Sequence, residues 1–260
     1  MNETGPTSAH AAPAPDPGPD PDPGGRDGDA PARTLYVLPL VVRIERAAPP
    51  ARTDALETAA RAVLTLLADP RTAAADGEWC ERVRVWEERG IRKVVRRARG
   101  AEWRRAEALP GLTVTGRGAE VRVFPPVPLD AWPKDLARLQ VSGTELADPE
   151  PGPGPAPRSE TAPETAPVPV LWLNPELEMS AGKAMAQAGH GAQCAWWALD
   201  PGARADWLRA GFPLSVRAAE SAERWARLTG SGLPLVQDAG FTEIAPGTCT
   251  VVADHPALRR

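Results

Sequence analysis

Two kinds of apolar spacing alternate along the chain. The run Leu35-Tyr-Val-Leu-Pro-Leu-Val-Val-Arg-Ile44 is almost continuously apolar and rich in β-branched residues, which predicts a strand made irregular by Pro39. Leu56, Ala60, Val63, Leu64 and Leu67 then recur at helical spacing over 53–68, and Asp69-Pro70 stops the run. From 78 to 109 the pattern places Trp79, Val83, Trp86, Ile91, Val94, Val95 and Trp103 among arginines, as in a helix with an apolar side and a basic side. Leu112-Thr-Val-Thr and Glu120-Val-Arg-Val-Phe124 read as two short strands around a turn at 116–118. Together these predict a small α+β unit over 33–145.

A second series begins at 168. Val168-Pro-Val-Leu-Trp-Leu173 suits an inner strand. Over 180–199 a long alanine-rich helix is expected, with Ser180 as N-cap and Pro201-Gly202 ending it. A short helical turn at 206–210, a strand at 214–218 and a helix from the Ser221 cap to Gly230 follow. Strands at 235–237 and 248–253 complete the order β-α-β-α-β-β. The expected fold class is α/β: a small four-stranded mixed sheet with flanking helices, preceded by the α+β domain.

Composition changes this picture at two places. Residues 1–32 hold eight of the 31 prolines and almost no large apolar side chain, and they read as a disordered acidic tail. Residues 146–167, with Pro-Gly-Pro-Gly-Pro and repeated Thr-Ala-Pro, read as a flexible linker between domains at 33–145 and 168–260. The net charge of −4 then divides unevenly. One base meets six acids in 1–32, whereas 33–145 carries twenty bases against fifteen acids, so positive charge is concentrated in the first domain. The tail has no basic start followed by an apolar run, and no stretch is long enough to span a bilayer; the reading is cytoplasmic, with no membrane partner. Cys80, Cys194 and Cys249, odd in number and without metal-like spacing, are expected as free thiols.

Candidate chemistry gathers on the helix at 180–199. Lys183, Gln187, His190 and Cys194 step by four, three and four and fall on one stripe. Gly182, Gly189 and Gly191 interrupt the helix although each costs about 1 kcal/mol relative to alanine. That cost implies either close packing or the approach of a ligand. Free N–H groups at the helix start, with the Lys183 ammonium, suit an anion or a developing oxyanion.

Gly182-Lys183-x-x-x-Gln187-x-x-His190, followed by Asp238-Ala-Gly-Phe-Thr242-Glu-Ile-Ala-Pro-Gly-Thr-Cys-Thr250, resembles the two motifs of the archaeal and eukaryotic type of peptidyl-tRNA hydrolase, in that family's order. The resemblance runs from Val168 to about Asp254 and says nothing of the first domain. It departs from the family where Gly211-Phe-Pro-Leu-Ser-Val stands in place of a lysine-bearing strand entry, and where Val251-Val-Ala-Asp-His-Pro closes the motif without glycine. It implies the same fold, peptidyl-tRNA as partner and an ester hydrolase that uses Lys183, Asp238, Thr242 and Thr250, with Gly182, Gln187 and His190 against substrate. Asp238 would take a proton from water or hold Lys183, Lys183 would meet the oxyanion, and the threonines would place water or ester oxygens.

Other readings compete with these. Asp238 before Ala-Gly also fits a plain turn former, His190 a satisfied structural histidine, Cys194 a packing residue, and Trp196 and Trp197 core positions. Residues 82–105 hold ten bases against three acids, and Arg92, Lys93, Arg96 and Arg97 at its centre are candidates for phosphate contact, with tryptophans offering stacking faces. An ordinary solvated helix face explains the same pattern. No cofactor and no metal is implied, since no His/Cys/Asp cluster has ligand spacing. A homodimer stays open, as does a module that keeps the hydrolase fold only to bind RNA or protein.

Overall fold

The computed structural model describes residues 34–150, 167–238 and 244–259; the expected acidic tail, most of the expected linker, and Thr242 lie outside the described residues. The first half runs β1 (Tyr36–Arg43), α1 (Arg52–Ala68), α2 (Pro70–Ala73), α3 (Cys80–Glu88), β2 (Lys93–Ala98), α4 (Gly100–Glu107), β3 (Leu112–Thr115), β4 (Glu120–Val123), β5 (Val127–Pro128) and α5 (Lys134–Ala137). The second runs β6 (Val170–Leu173), α6 (Ala181–Ala198), α7 (Pro201–Arg209), β7 (Ser215–Ala218), α8 (Ala222–Thr229), β8 (Leu235–Gln237) and β9 (Cys249–Asp254), ending in a 3₁₀ turn at Pro256–Leu258.

Capping chemistry sets the helix bounds in the second half. Ser180 Oγ accepts from the Lys183 N–H (3.4 Å), Asp200 Oδ1 from Ala203 (2.9 Å) with Pro201 just inside α7, and Ser221 Oγ from Arg224 (3.2 Å). The fold class is the expected one: a four-stranded mixed sheet, β7-β6-β9-β8, flanked by helices.

The stretch at 78–109 departs from the expected helix. It breaks into α3, β2 and α4, because Gly90 takes a positive φ (90°) that ends α3, and Val94 and Val95 then continue in extended backbone beside β1. Pro39 sits in the central strand β1, a position that normally excludes proline. It is tolerated because β1 changes antiparallel partner there, from β5 at Tyr36 and Val37 to β4 from Leu40 onward.

The two halves share one topology. The first sheet runs β2-β1-β4-β3, with β5 added on β1, and the second β7-β6-β9-β8. In each, the first two strands pair parallel and the last strand lies antiparallel between the first and third. The long helices α1 and α6 occupy the same place in this order and pack on each other; α6 also reaches β2, and α1 reaches β7. Small side chains permit the approach, with Ala55, Ala59 and Ala62 on α1 and Ala181, Ala184, Ala188 and Ala192 on α6 all buried.

One hydrophobic cluster therefore runs through both halves, from Leu38 and Leu64 to Met185 and Val251, and the described residues form one compact unit. The expected domains at 33–145 and 168–260 are thus packed on each other along α1 and α6. The start of the expected linker is packed too. Leu146 joins the core, and the Asp148 carboxylate accepts from the Thr53 N–H (2.8 Å) and hydroxyl (2.6 Å) at the start of α1. Among the described residues no helix is long and apolar enough to cross a membrane.

Candidate functional site

The start of α6 is pressed against the first half. The Gly182 N–H donates to Thr144 Oγ1 (3.2 Å), and a Cβ at 182 would stand 2.9 Å from that oxygen. A Cβ at Gly189 would meet Val63 at 3.0 Å, and one at Gly191 would meet Val251 at 2.7 Å. The helix glycines thus answer to close packing. Gly182 still lines the cavity that opens beside it.

Gln187 organises the next turn of the stripe. Its Nε2 donates to Asp238 Oδ2 (3.2 Å), and its Oε1 accepts from Thr250 Oγ1 (2.8 Å). The amide orientation is enforced, since a flipped amide would set Oε1 against a carboxylate. Thr250 is fully buried in β9, where its hydroxyl also lies 3.3 Å from the Val236 carbonyl, and it does not line the cavity. Its place is behind Gln187: where direct contact with water or ester is expected, the structure gives Thr250 a hydrogen bond to that amide. Asp238 follows β8 and is fixed by backbone, donating to the Thr248 carbonyl (2.9 Å) and accepting from Gly247 (2.8 Å).

Lys183, Gln187 and Asp238 line one cavity of about 950 Å³ that lies between the halves. Gln187 and Asp238 are buried, whereas Lys183, on the first turn of α6, is partly exposed. The fold thus brings a helix-start cation and a carboxylate more than fifty residues later to the same space. The opposite wall comes from the first half, including Tyr36, Ile91, Arg92, Lys93 and Thr144.

Lys93, a candidate for phosphate contact by sequence, lies inside the protein and not among surface bases. Only 7% exposed, it donates to Gln193 Oε1 (2.6 Å) and to the Ile91 carbonyl (3.3 Å), lies within hydrogen-bond distance of His190 Nδ1 (3.2 Å), and stands 4.8 Å from the Trp86 ring centre. Burial pulls its amine down to about 7, which Cys194 and Glu87 only partly counter. Burial, with the Lys93 charge next to it, holds His190 well below the ordinary imidazole range. His190 keeps an exposed edge on the cavity even though protein closely surrounds its ring. Gln193 Nε2 donates onward to Glu87 Oε1 (3.1 Å), as does Trp197 Nε1 (3.2 Å), so Trp197 sits at the surface and not in the core. Burial pushes the Cys194 thiol up, which keeps it neutral and suits the packing role.

The other bases of the cluster are largely engaged within the protein. Arg96 donates to the Ala137 carbonyl (3.1 Å) and to that of Leu139, and stacks 4.4 Å from the Trp132 ring centre. Arg97 holds the Ser142 carbonyl (2.9 Å) and Gln140 Oε1. Arg92 lines the cavity. A single basic face on one helix does not exist here.

In the first half the corresponding place is closed. Asp54, third in α1 as Lys183 is third in α6, is 3% exposed and accepts the N–H groups of Arg117 (3.0 Å), Gly118 (2.6 Å) and Ala119 (2.8 Å). Burial alone would raise its carboxyl, but these donors outweigh that and hold it below the usual range. The β3–β4 turn is thereby drawn onto α1, and a Cβ at Gly116 would collide with Asp54 and Thr58.

Sequence reasoning missed the Lys93, Gln193 and Glu87 group, because nothing in the local pattern distinguishes a buried lysine from its solvated neighbours. Among the described residues no three His, Cys, Asp or Glu side chains gather as a metal site, and all three cysteines are free. Compared with known families, residues 168–260 match the model described as peptidyl-tRNA hydrolase PTH2. The match covers α6, Asp238 and β9, and it does not reach the first half.

Proposed function

We propose that this chain hydrolyses the ester joining the carboxyl end of a peptide to the terminal ribose of tRNA, with the chemistry carried by residues 168–260. The observation that supports it most is the sharing of one cavity by Lys183, Gln187 and Asp238 inside the segment similar to the hydrolase family. The ester is already activated, so modest assistance suffices. Asp238, held by Gln187, accepts a proton from the attacking water. The Lys183 ammonium, at the positive end of the α6 dipole, stabilises the tetrahedral oxyanion, and the proton then passes to the leaving ribose hydroxyl. Thr242 takes part from the same connection as Asp238, and Thr250 acts through Gln187. Exposed Arg89, with Arg92, both lining the cavity, receives the tRNA end through its phosphates, in the cytoplasm where translation runs.

The test is release of peptide from N-acetylated aminoacyl-tRNA. Turnover that disappears in Asp238→Asn while tRNA binding persists supports the reading. Wild-type protein that binds tRNA but releases nothing would leave a binding module only.

A further inference from the structure

The cavity does not end at Asp238. It continues along α6 to His190, seven residues beyond Lys183 and therefore roughly 10 Å away along the helix axis. There the wall belongs to the first half, and the ring of His190 meets Lys93 across it.

With Lys93 charged, the valences at this contact fix where the protons are. An ammonium has three hydrogens and no acceptor. Around Lys93 stand two fixed acceptors, the Ile91 carbonyl and Gln193 Oε1, and the ring nitrogen Nδ1 of His190. Gln193 cannot offer its other end, because its Nε2 is committed to Glu87. Nδ1 must then present a lone pair, and the single proton of a neutral imidazole resides on Nε2. Nε2 has no hydrogen-bond partner among the described residues and is not a buried orphan, so it meets the cavity.

We propose that Lys93 is a positioning residue contributed by the first half, which locks His190 as an Nε2–H donor aimed at an acceptor oxygen of the bound substrate. The scissile ester belongs to Lys183 and Asp238; His190 serves a second oxygen about two helical turns along. This rests on the proposed hydrolysis only for the identity of the substrate. The same valences define the alternative state. A neutral Lys93 has two hydrogens and one lone pair, and since Ile91 O and Gln193 Oε1 can only accept, the lone pair turns to Nδ1. The imidazole proton moves there and Nε2 becomes an acceptor. The other charged or titratable groups nearby are Glu87, which reaches Lys93 only through Gln193, neutral Cys194 on α6, and Tyr36, Arg89 and Arg92 on the cavity wall of the first half, with Glu145, Glu178, Lys183 and Asp238 also lining the cavity. The topology gives this contact a rationale. The first half repeats the fold of the second, its own counterpart site is closed by Asp54, and its cavity-facing contribution is a lysine at the start of β2.

The experiment combines ¹⁵N imidazole NMR of the full chain with kinetics of wild type, Lys93→Met, His190→Ala and the double variant. At pH 6 the wild-type His190 should show a protonated Nε2 and a bare Nδ1, and the assignment should exchange as pH rises through about 7, where Lys93 loses its proton. Lys93→Met should mix the tautomers. It should lower kcat/KM on N-acetylated aminoacyl-tRNA roughly tenfold, as His190→Ala does, with no further loss in the double variant. Weaker binding of deacylated tRNA in His190→Ala would place the acceptor oxygen on the nucleic acid; unchanged binding would place it on the acyl chain. A wild-type Nδ1–H tautomer at pH 6, or an equal Lys93→Met loss in the His190→Ala background, overturns the proposal. The wild-type NMR titration needs no variant to fold and no turnover, so an inactive wild type would sink the hydrolase reading without touching this one.

Discussion

Replacing Thr250 by valine keeps the shape of a fully buried side chain and removes one hydroxyl. That hydroxyl is the donor to Gln187 Oε1 at 2.8 Å, and Gln187 in turn holds Asp238 Oδ2 at 3.2 Å. Leaving a buried amide oxygen without its donor costs about 1–3 kcal/mol. Gln187 can relax part of this by turning its amide, but each step of relaxation withdraws the Nε2 donor from Asp238. If about half of the cost, roughly 0.5–1.5 kcal/mol, falls on the orientation of the carboxylate, the rate falls roughly two- to tenfold, since about 1.4 kcal/mol is a decade. KM should stay within about twofold, because Thr250 does not line the cavity and removes no contact with substrate. Initial rates of peptide release over a range of N-acetylated aminoacyl-tRNA concentrations separate the two parameters, with thermal unfolding measured alongside. Thr250→Ser restores the donor and should recover most of the rate. Wild-type kcat in Thr250→Val, or a serine variant as slow as the valine one, would refute the relay through Gln187.

Further consequences can be measured independently. Asp54→Ala removes the acceptor of three backbone N–H groups, of which only that of Ala119 is buried, and should cost about 2–3 kcal/mol, lowering Tm by roughly 5–10 °C in a melting experiment. Gly191→Ala gains about 1 kcal/mol of helix propensity but forces a Cβ to 2.7 Å from Val251, so chemical denaturation should show a net loss of about 1–2 kcal/mol. Burial depresses the Lys93 amine to about 7, so above that pH the folded chain binds fewer protons than the unfolded one up to the ordinary lysine range. Wild-type stability relative to Lys93→Met should therefore rise from pH 7 to pH 10 and stay flat below 7, as read from denaturant midpoints. Residues 167–260 expressed alone would expose the alanine face of α6 that α1 covers, and should aggregate or self-associate in size-exclusion chromatography, not elute as a folded monomer.

What could be read from the sequence was local, and what could not was the encounter of distant surfaces. The bounds of α6 and α8 were legible because Ser180, Ser221 and Gly230 are capping residues whose chemistry acts within one turn. Lys183 and Asp238 were legible as a pair only through two motifs whose order resembles a known family, since no rule of spacing links residues so far apart. The basic run at 82–105 misled for a physical reason. Charge and aromatic content suggest a surface, yet the strand between α3 and α4 turns alternate side chains inward, and Lys93 went inward. The three glycines of α6 carried the information that something approaches the helix closely, but not that the approaching bodies would be Thr144, Val63 and Val251. The repeated strand order was invisible for a related reason: two halves can share a topology while their sequences differ at every position where one keeps an open site and the other closes it. Asp54 stands where Lys183 stands, and Gly116 follows β3 where Asp238 follows β8. At the first position the carboxylate draws a turn down onto the helix; at the second, Lys183 and Asp238 line an open cavity, so equivalent places in one topology are closed in one half and open in the other.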